Sequence, residues 1–307
     1  MCRLLRYAVL SGYVTFSYIA SASPVLALSI PNRRDAAVSA NDWDPILNKD
    51  KSATCSDLAV IFARGTFDEG NLGPWVGGPF HDALISKSSG MKVAVQGVST
   101  GDYPADLAGY TQEGGSEKCA QSLGATIQKY SSTCPTSKIA IWGWSQGALC
   151  AHKSLNNLGG AASKVIALGV FGDPIGVWQD TTDYPPIPKN IALLSYCQKT
   201  VPDPLCTSVV EDFPQTPLGF INRLRDIWAK VDDTHMNSAQ KEALKGLATE
   251  LPTQALGELD QLTKDIFDGH LRRWMLTPEH FWYGIDGTVG QAADDLIRTY
   301  KTSVSVK

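Results

Sequence analysis

The sequence predicts an α/β fold: a three-layer sandwich whose mostly parallel central sheet has about five strands, with a block of extra helices late in the chain. Two observations carry this reading. Short apolar runs rich in β-branched residues recur between Leu58 and Cys197, too continuous for a sheet with one wet face. Helix-like segments separate them, and strand alternating with helix is the pattern of a parallel sheet. A third observation is the change of texture after Cys206, where strand-like runs stop.

The chain has 307 residues, 43% of them hydrophobic and 19% charged, with a net charge of −4. This suits one large domain or a domain with an insertion. It offers no basic footprint, so nucleic acid and anionic membrane surfaces are set aside as partners.

Arg3 and Arg6 open the chain, a mainly apolar stretch from Tyr7 to Ala20 follows, and small residues offer cleavage after Ala22 or Ala27. Residues 1–27 therefore read as a secretory signal peptide and the protein as extracellular. Ser11, Gly12, Thr15 and Ser17 interrupt the run, which is also short for a stable membrane span. Residues 28–50 are polar and read as a pro-segment or flexible tail.

The five strand candidates are LAVIFA (58–63), KVAVQGV (92–98), KIAIWG (138–143), KVIALGVFG (164–172) and NIALLSYC (190–197). Between the second and third, Cys119, Leu123, Ile127 and Tyr130 recur at helical spacing. From about Thr207 to Leu276, PLGFINRLRDIWAKV, SAQKEALKGLATEL and TQALGELDQLTKDIF read as three amphipathic helices. The domain plan is thus 51–206 joined with 277–307, and an inserted helical cap at 207–276.

The chemistry centres on GWSQG. Ser145 sits in the pattern G-x-S-x-G after a strand candidate and before a helix candidate, the context in which a sharp turn exposes a serine nucleophile. Gly143 and Gly147 let strand and helix approach. A serine hydroxyl needs a base, and the base needs a carboxylate to hold its tautomer. Of five histidines, His81 and His152 lie in predicted helices and His235 and His270 in the helical segment. His280, in the last loop before the terminal helix, fits the chain order serine, acid, histidine. Asp203, in the loop of CQKTVPDPLC, is the leading acid, held by a short Cys197–Cys206 bridge. Asp173, in VFGDP, is its competitor, or else a turn residue before Pro174. The backbone N–H of Gln146 and a donor from the loop after the first strand, Thr66, would face a developing oxyanion. Asn71 in that loop reads as structural.

With Cys2 in the signal segment, six cysteines remain, an even count that suggests three disulfides in a secreted chain. No pair has C-x-x-C spacing, and only Cys150 has a histidine nearby, His152, so no metal is expected. No N-x-S/T sequon is present.

The blocks VIFARGTFDEGNLGPWVG, IAIWGWSQGA, CQKTVPDPLC and EHFWYGIDG together resemble the signature regions of the cutinase family, secreted serine esterases that include cutinases, acetylxylan esterases and mycobacterial lipid esterases. The resemblance covers about 55–206 and 277–301. It implies an α/β-hydrolase-type fold, an oxyanion-hole hydroxyl at Thr66, the nucleophile and its neighbouring amide at Ser145 and Gln146, the acid at Asp203, and the base at His280 followed by Tyr283-Gly284. It further implies a Cys55–Cys134 bridge, which leaves Cys119 to Cys150. The roughly seventy residues between Cys206 and His280 depart from the family's short loop, and a structureless loop of that length is improbable. Strung between acid and base, a cap there emerges beside the active site.

The expectation is a monomeric serine esterase without cofactors, acting on cutin-like or lipid acyl esters. The alternative substrate is acetylated polysaccharide. A different class of reading is a non-catalytic secreted binding protein that uses the cap to engage a partner.

Overall fold

The computed structural model describes residues 37–198, 200–208 and 212–305. The expected signal segment therefore lies outside the described residues. Five strands, β1 (Leu58–Ala63), β2 (Val93–Gly97), β3 (Lys138–Trp144), β4 (Val165–Phe171) and β5 (Ala192–Tyr196), form one sheet in the order β2-β1-β3-β4-β5. Every pairing is parallel. The first strand of the chain lies inside the sheet and the order reverses beside it, so the carboxyl ends of β1, β3 and β4 share one rim where such folds place their sites.

The strand alternation divides the core. Val60, Phe62, Ala140, Trp142 and Trp144 face one side, where α2 (Gly78–Lys87) and the terminal helix pack through Phe80, Leu84, Ala292, Ala293 and Leu296. Ala59, Ile61, Ile139, Ile141, Leu168 and Val170 face the other, against helices that supply Cys119, Leu123, Ile127, Ala148 and Ala151. Two residues apart on one strand means the same face, so continuous apolar runs cover both layers at once.

The segment expected to be a flexible tail up to residue 50 is packed from Ala37 onward. It forms the short helix α1 (Asp44–Leu47) and an antiparallel bridge from Asn41 to Gln96. Trp43 is fully buried, its ring 4.3 Å from that of Tyr130. One aromatic and one isoleucine, Ile46, anchor an otherwise polar stretch, which is why composition misjudged it.

Three disulfides join Cys55 to Cys134, Cys119 to Cys150 and Cys197 to Cys206. With α3 (Leu107–Thr111), α4 (Glu117–Thr133), α5 (Gln146–Ser154) and α6 (Ile175–Trp178), they complete the part of the chain before residue 206.

The late helical block is α7 (Pro217–Trp228), α8 (Ser238–Gly257) and α9 (Leu259–Phe267), followed after a loop by α10 (Thr288–Ser305). A capping box starts α8: the Asn237 side chain accepts from the Gln240 N–H at 2.8 Å and Gln240 Oε1 from the Asn237 N–H at 3.1 Å. The sequence divides the second and third helices at Pro252, but α8 runs through it to Gly257. Proline forfeits one hydrogen bond there, and its burial with Leu247, Leu251 and Ala255 keeps the helix continuous. The inner faces of this block merge with the core on the α2 and α10 side.

Candidate active site

Ser145 occupies the turn from β3 to α5 with φ 58° and ψ −126°, a left-handed conformation that non-glycine residues rarely adopt. The close approach of strand and helix enforces it. A Cβ on Gly143 would lie 2.2 Å from the Gly147 carbonyl oxygen, and one on Gly147 would lie 2.0 Å from that of Ala63. The Ser145 N–H donates to the Phe171 carbonyl at 3.1 Å, which ties the turn to the end of β4.

His280 and Asp203 meet beside this turn. His280 Nδ1 lies 2.8 Å from Asp203 Oδ2, and both residues are fully buried. The next residue after Phe171 is Gly172, with φ 50°, where a Cβ would stand 2.7 Å from His280 Cε1 and 2.9 Å from Asp203 Oδ2. Only glycine lets the end of β4 pass the pair. Trp144 reaches over from the serine side, its indole N–H donating to the His280 carbonyl at 3.0 Å. His280 Nε2, the nitrogen turned away from Asp203, is buried and has no hydrogen-bond partner among the described residues. The Asp203–His280 pair thus lies beside Gly172 and Trp144, the residues next to Phe171 and Ser145 at the carboxyl ends of β4 and β3, and among the described residues no hydrogen bond joins His280 to Ser145.

Asp203 also accepts from the Leu205 N–H at 2.9 Å through Oδ1 and from the Tyr283 hydroxyl at 2.6 Å through Oδ2. Burial pushes its carboxyl up, but the His280 charge and these hydrogen bonds outweigh burial and hold it below the usual carboxylate value. The acid is therefore ionised at neutral pH and can stabilise an imidazolium.

Gln146 follows the serine directly in the chain, and Thr66 follows Gly65, which packs against the Trp144 ring. Thr66 is buried in the loop after β1. Arg64 braces that loop, donating from Nε to the Asp68 carbonyl at 2.9 Å and from a terminal nitrogen to the Pro104 carbonyl at 3.0 Å. Asn71 ties the loop to the N-terminal segment, its side chain accepting from the Ala40 N–H at 2.9 Å and donating to Asn41 at 2.7 Å. Burial pushes the Asp68 carboxyl well above its ordinary value, against the pull of the Arg64 charge. Gln146 is the first residue of α5, where backbone N–H groups have no intrahelical acceptor. Its side chain is held at 2.8 Å from the Tyr103 hydroxyl and 3.0 Å from the Asp106 carbonyl.

Asp173, the competing acid, belongs to another pair. Its Oδ2 lies 2.7 Å from His152 Nε2, and its Oδ1 accepts from the Ile175 N–H at 3.1 Å, a turn of the kind expected before Pro174. His152 faces it from α5. Sequence reading treats each separately, because nothing in the linear order says that the last turn of α5 passes the end of β4. His235 and His270 stay in the helical block, and His270 Nε2 lies 2.8 Å from Asp180.

Ser145 is 2% exposed and Thr66 is 5% exposed, so the rim is covered. The Trp228 ring of α7 meets Phe281 edge-on at 4.9 Å, Phe281 lies edge-on to His280 at 5.6 Å, and the Trp228 indole donates to the Leu276 carbonyl at 2.9 Å. The chemistry such a carboxylate-held imidazole offers is general-base proton transfer from a hydroxyl brought to its free nitrogen. Among the described residues no cluster of three or more potential ligands is placed to hold a metal, and no helix is long and apolar enough to cross a membrane.

The family model Cutinase matches residues 54–217, which include Thr66, Ser145, Gln146 and Asp203 and stop before His280. A cutinase of Botryotinia fuckeliana is 39% identical over 140 residues, 43% of this chain and 67% of that protein. Cutinase cut1 of Trichoderma harzianum is 38% identical over 141 residues, 46% of this chain and 54% of that protein. The chain thus spans about half to two thirds of the length of these relatives. Among solved structures, a Trichoderma reesei cutinase in complex with a C11Y4 phosphonate inhibitor aligns at 28% identity with a TM-score of 0.40, over 55% of this chain and 77% of that one.

Proposed function

This chain belongs to the cutinase family, a family of carboxylic ester hydrolases, and from that premise we propose that it is a secreted serine esterase in which Ser145, His280 and Asp203 form the catalytic triad. The observation that carries the reading is the buried Asp203–His280 pair, 2.8 Å apart, beside a serine held at φ 58°. Ser145 attacks the ester carbonyl as His280 Nε2 takes its proton. Asp203 holds the other ring nitrogen and stabilises the imidazolium, and the Thr66 hydroxyl and the Gln146 N–H receive the oxyanion. The acyl-enzyme is then hydrolysed by water that the same imidazole activates.

The segment 207–276 acts as a cap on this site. Three disulfides suit an extracellular protein. The favoured substrates are acyl esters with an apolar chain, a reading supported by the aromatic cluster in which Phe281, edge-on to His280, packs against Trp75 and Trp228.

A fluorophosphonate should label the wild-type protein at Ser145 and leave Ser145→Ala unmodified, and p-nitrophenyl esters of medium chain length should be hydrolysed faster than the acetate. Loss of the nucleophile should lower turnover by roughly 10⁴-fold or more. An unlabelled, inactive wild type favours the non-catalytic binding reading, and a preference for acetate favours acetylated polysaccharide.

A further inference from the structure

His280 and Tyr283 stand three residues apart in a 3₁₀ turn spanning Pro278–Gly284. In such a turn residues i and i+3 eclipse, so both side chains leave the backbone in one direction. Both end on the same atom: Asp203 Oδ2 lies 2.8 Å from His280 Nδ1 and 2.6 Å from the Tyr283 hydroxyl. The Tyr283 oxygen also accepts from the Gln198 N–H at 3.2 Å. With that lone pair engaged, the phenol proton is directed at the carboxylate. The length is that of a charge-assisted hydrogen bond.

We infer that Tyr283 is a positioning residue for the reaction: its hydroxyl fixes Asp203 Oδ2 and draws off part of the carboxylate's charge, so that Asp203 orients His280 without over-stabilising the imidazolium. The inference rests on the triad reading above. Its physical basis is that two donors share one oxygen. Each reduces the charge available to the other, so the phenol tempers the grip of Asp203 on the His280 ring proton.

The surroundings keep Tyr283 a donor. Burial and the neighbouring Asp203 charge push its phenol well above the ordinary tyrosine value, so it stays protonated while Asp203 is ionised. The other charged and titratable groups facing the pair are Arg272, which donates to the Pro204 carbonyl at 3.0 Å, Tyr110 from α3, and Asp286 beyond the turn. Cys206 is disulfide-bonded and does not titrate.

Tyr283→Phe keeps the ring, which packs 5.9 Å from Phe171, and deletes the donor. Asp203 then holds the imidazolium more tightly, so His280 releases its proton at higher pH. The acid limb of kcat/KM should move up by about half a pH unit or more, with KM unchanged, because Tyr283 does not touch substrate. Incorporation of 3-fluorotyrosine at position 283, a stronger donor on the same ring, should move the limb down. The same shifts should appear in the imidazole titration of His280 followed by NMR and assigned with His280→Gln. An unshifted limb and an unshifted His280 titration overturn the inference, as does a loss of activity equal at all pH. The NMR titration needs no turnover, so it decides this point even where an unlabelled Ser145 has sunk the triad reading.

Discussion

At Ser145 the backbone does what the side chain alone cannot. The serine's φ of 58° is unfavourable for a residue with a Cβ, and the contacts of its neighbours hold it there. Gly147 is the tightest of these, since an added Cβ would meet the Ala63 carbonyl, a backbone atom that cannot swing aside. Gly147→Ala is therefore expected to push α5 off the sheet, lowering stability by about 1–3 kcal/mol in urea unfolding and reducing the rate of Ser145 labelling. An unchanged midpoint together with full labelling would show that the elbow does not depend on this approach. The pattern G-x-S-x-G was legible because both glycines answer to local geometry. Tyr283 shows the limit of such reading. It stands in a recognisable block, yet only the folded turn aims its hydroxyl at Asp203.

At the scale of elements, the helical block is fastened by buried polar groups as well as by its apolar faces. Arg273, 3% exposed, donates from Nε to the Val177 carbonyl at 2.7 Å and from a terminal nitrogen to Asp180 at 2.9 Å and Thr181 at 2.8 Å. Its guanidinium also lies 4.0 Å from the centre of the Trp178 ring. Asp265 of α9 faces it at 3.6 Å and accepts from the Trp274 indole at 2.7 Å. Removing the cation leaves buried acceptors without their donor, so Arg273→Ala should cost about 3–5 kcal/mol in chemical denaturation. Hydrogen exchange should accelerate first across α9 and the turn after it. A cost near that of a surface arginine would mean that apolar packing alone holds the block. The helices themselves were predictable from their stripes, whereas this fastening was not. Arginine and aspartate read as ordinary exposed charges until tertiary structure buries them together.

For the whole molecule, the 2% exposure of Ser145 makes access the question for the proposed triad. Trp228 is the contact by which α7 meets Phe281, which in turn lies edge-on to His280. Burial of one large aromatic contributes about 2–3 kcal/mol and its indole hydrogen bond about 1 kcal/mol more. For the proposed cap acting as a gate, these contacts would favour the closed form by roughly 10²–10³-fold, a bias that thermal motion can overcome. Labelling by a fluorophosphonate should consequently saturate with reagent concentration at the opening rate. Trp228→Ala should accelerate labelling below saturation by about 10–100-fold. Strictly linear kinetics with no effect of Trp228→Ala would assign the block to packing alone.

The sequence by itself determined the five-stranded parallel sheet, the strand–turn–helix context of Ser145 and the helices α7 to α9, because each is written in short-range pattern or spacing. Only the tertiary structure placed Asp203 against His280 and Asp173 against His152, packed the segment around Trp43, and brought Trp228 of α7 against Phe281. These outcomes depend on which distant elements share a rim of the sheet. Asp173 and Asp203 both follow strands and both precede a proline; the bracketing cysteines and the place along the chain favour Asp203 in the sequence, and the fold adds the partner of each. The passage of α5 past the end of β4 gives Asp173 to His152, and the 3₁₀ turn before α10 brings His280 and Tyr283 to Asp203.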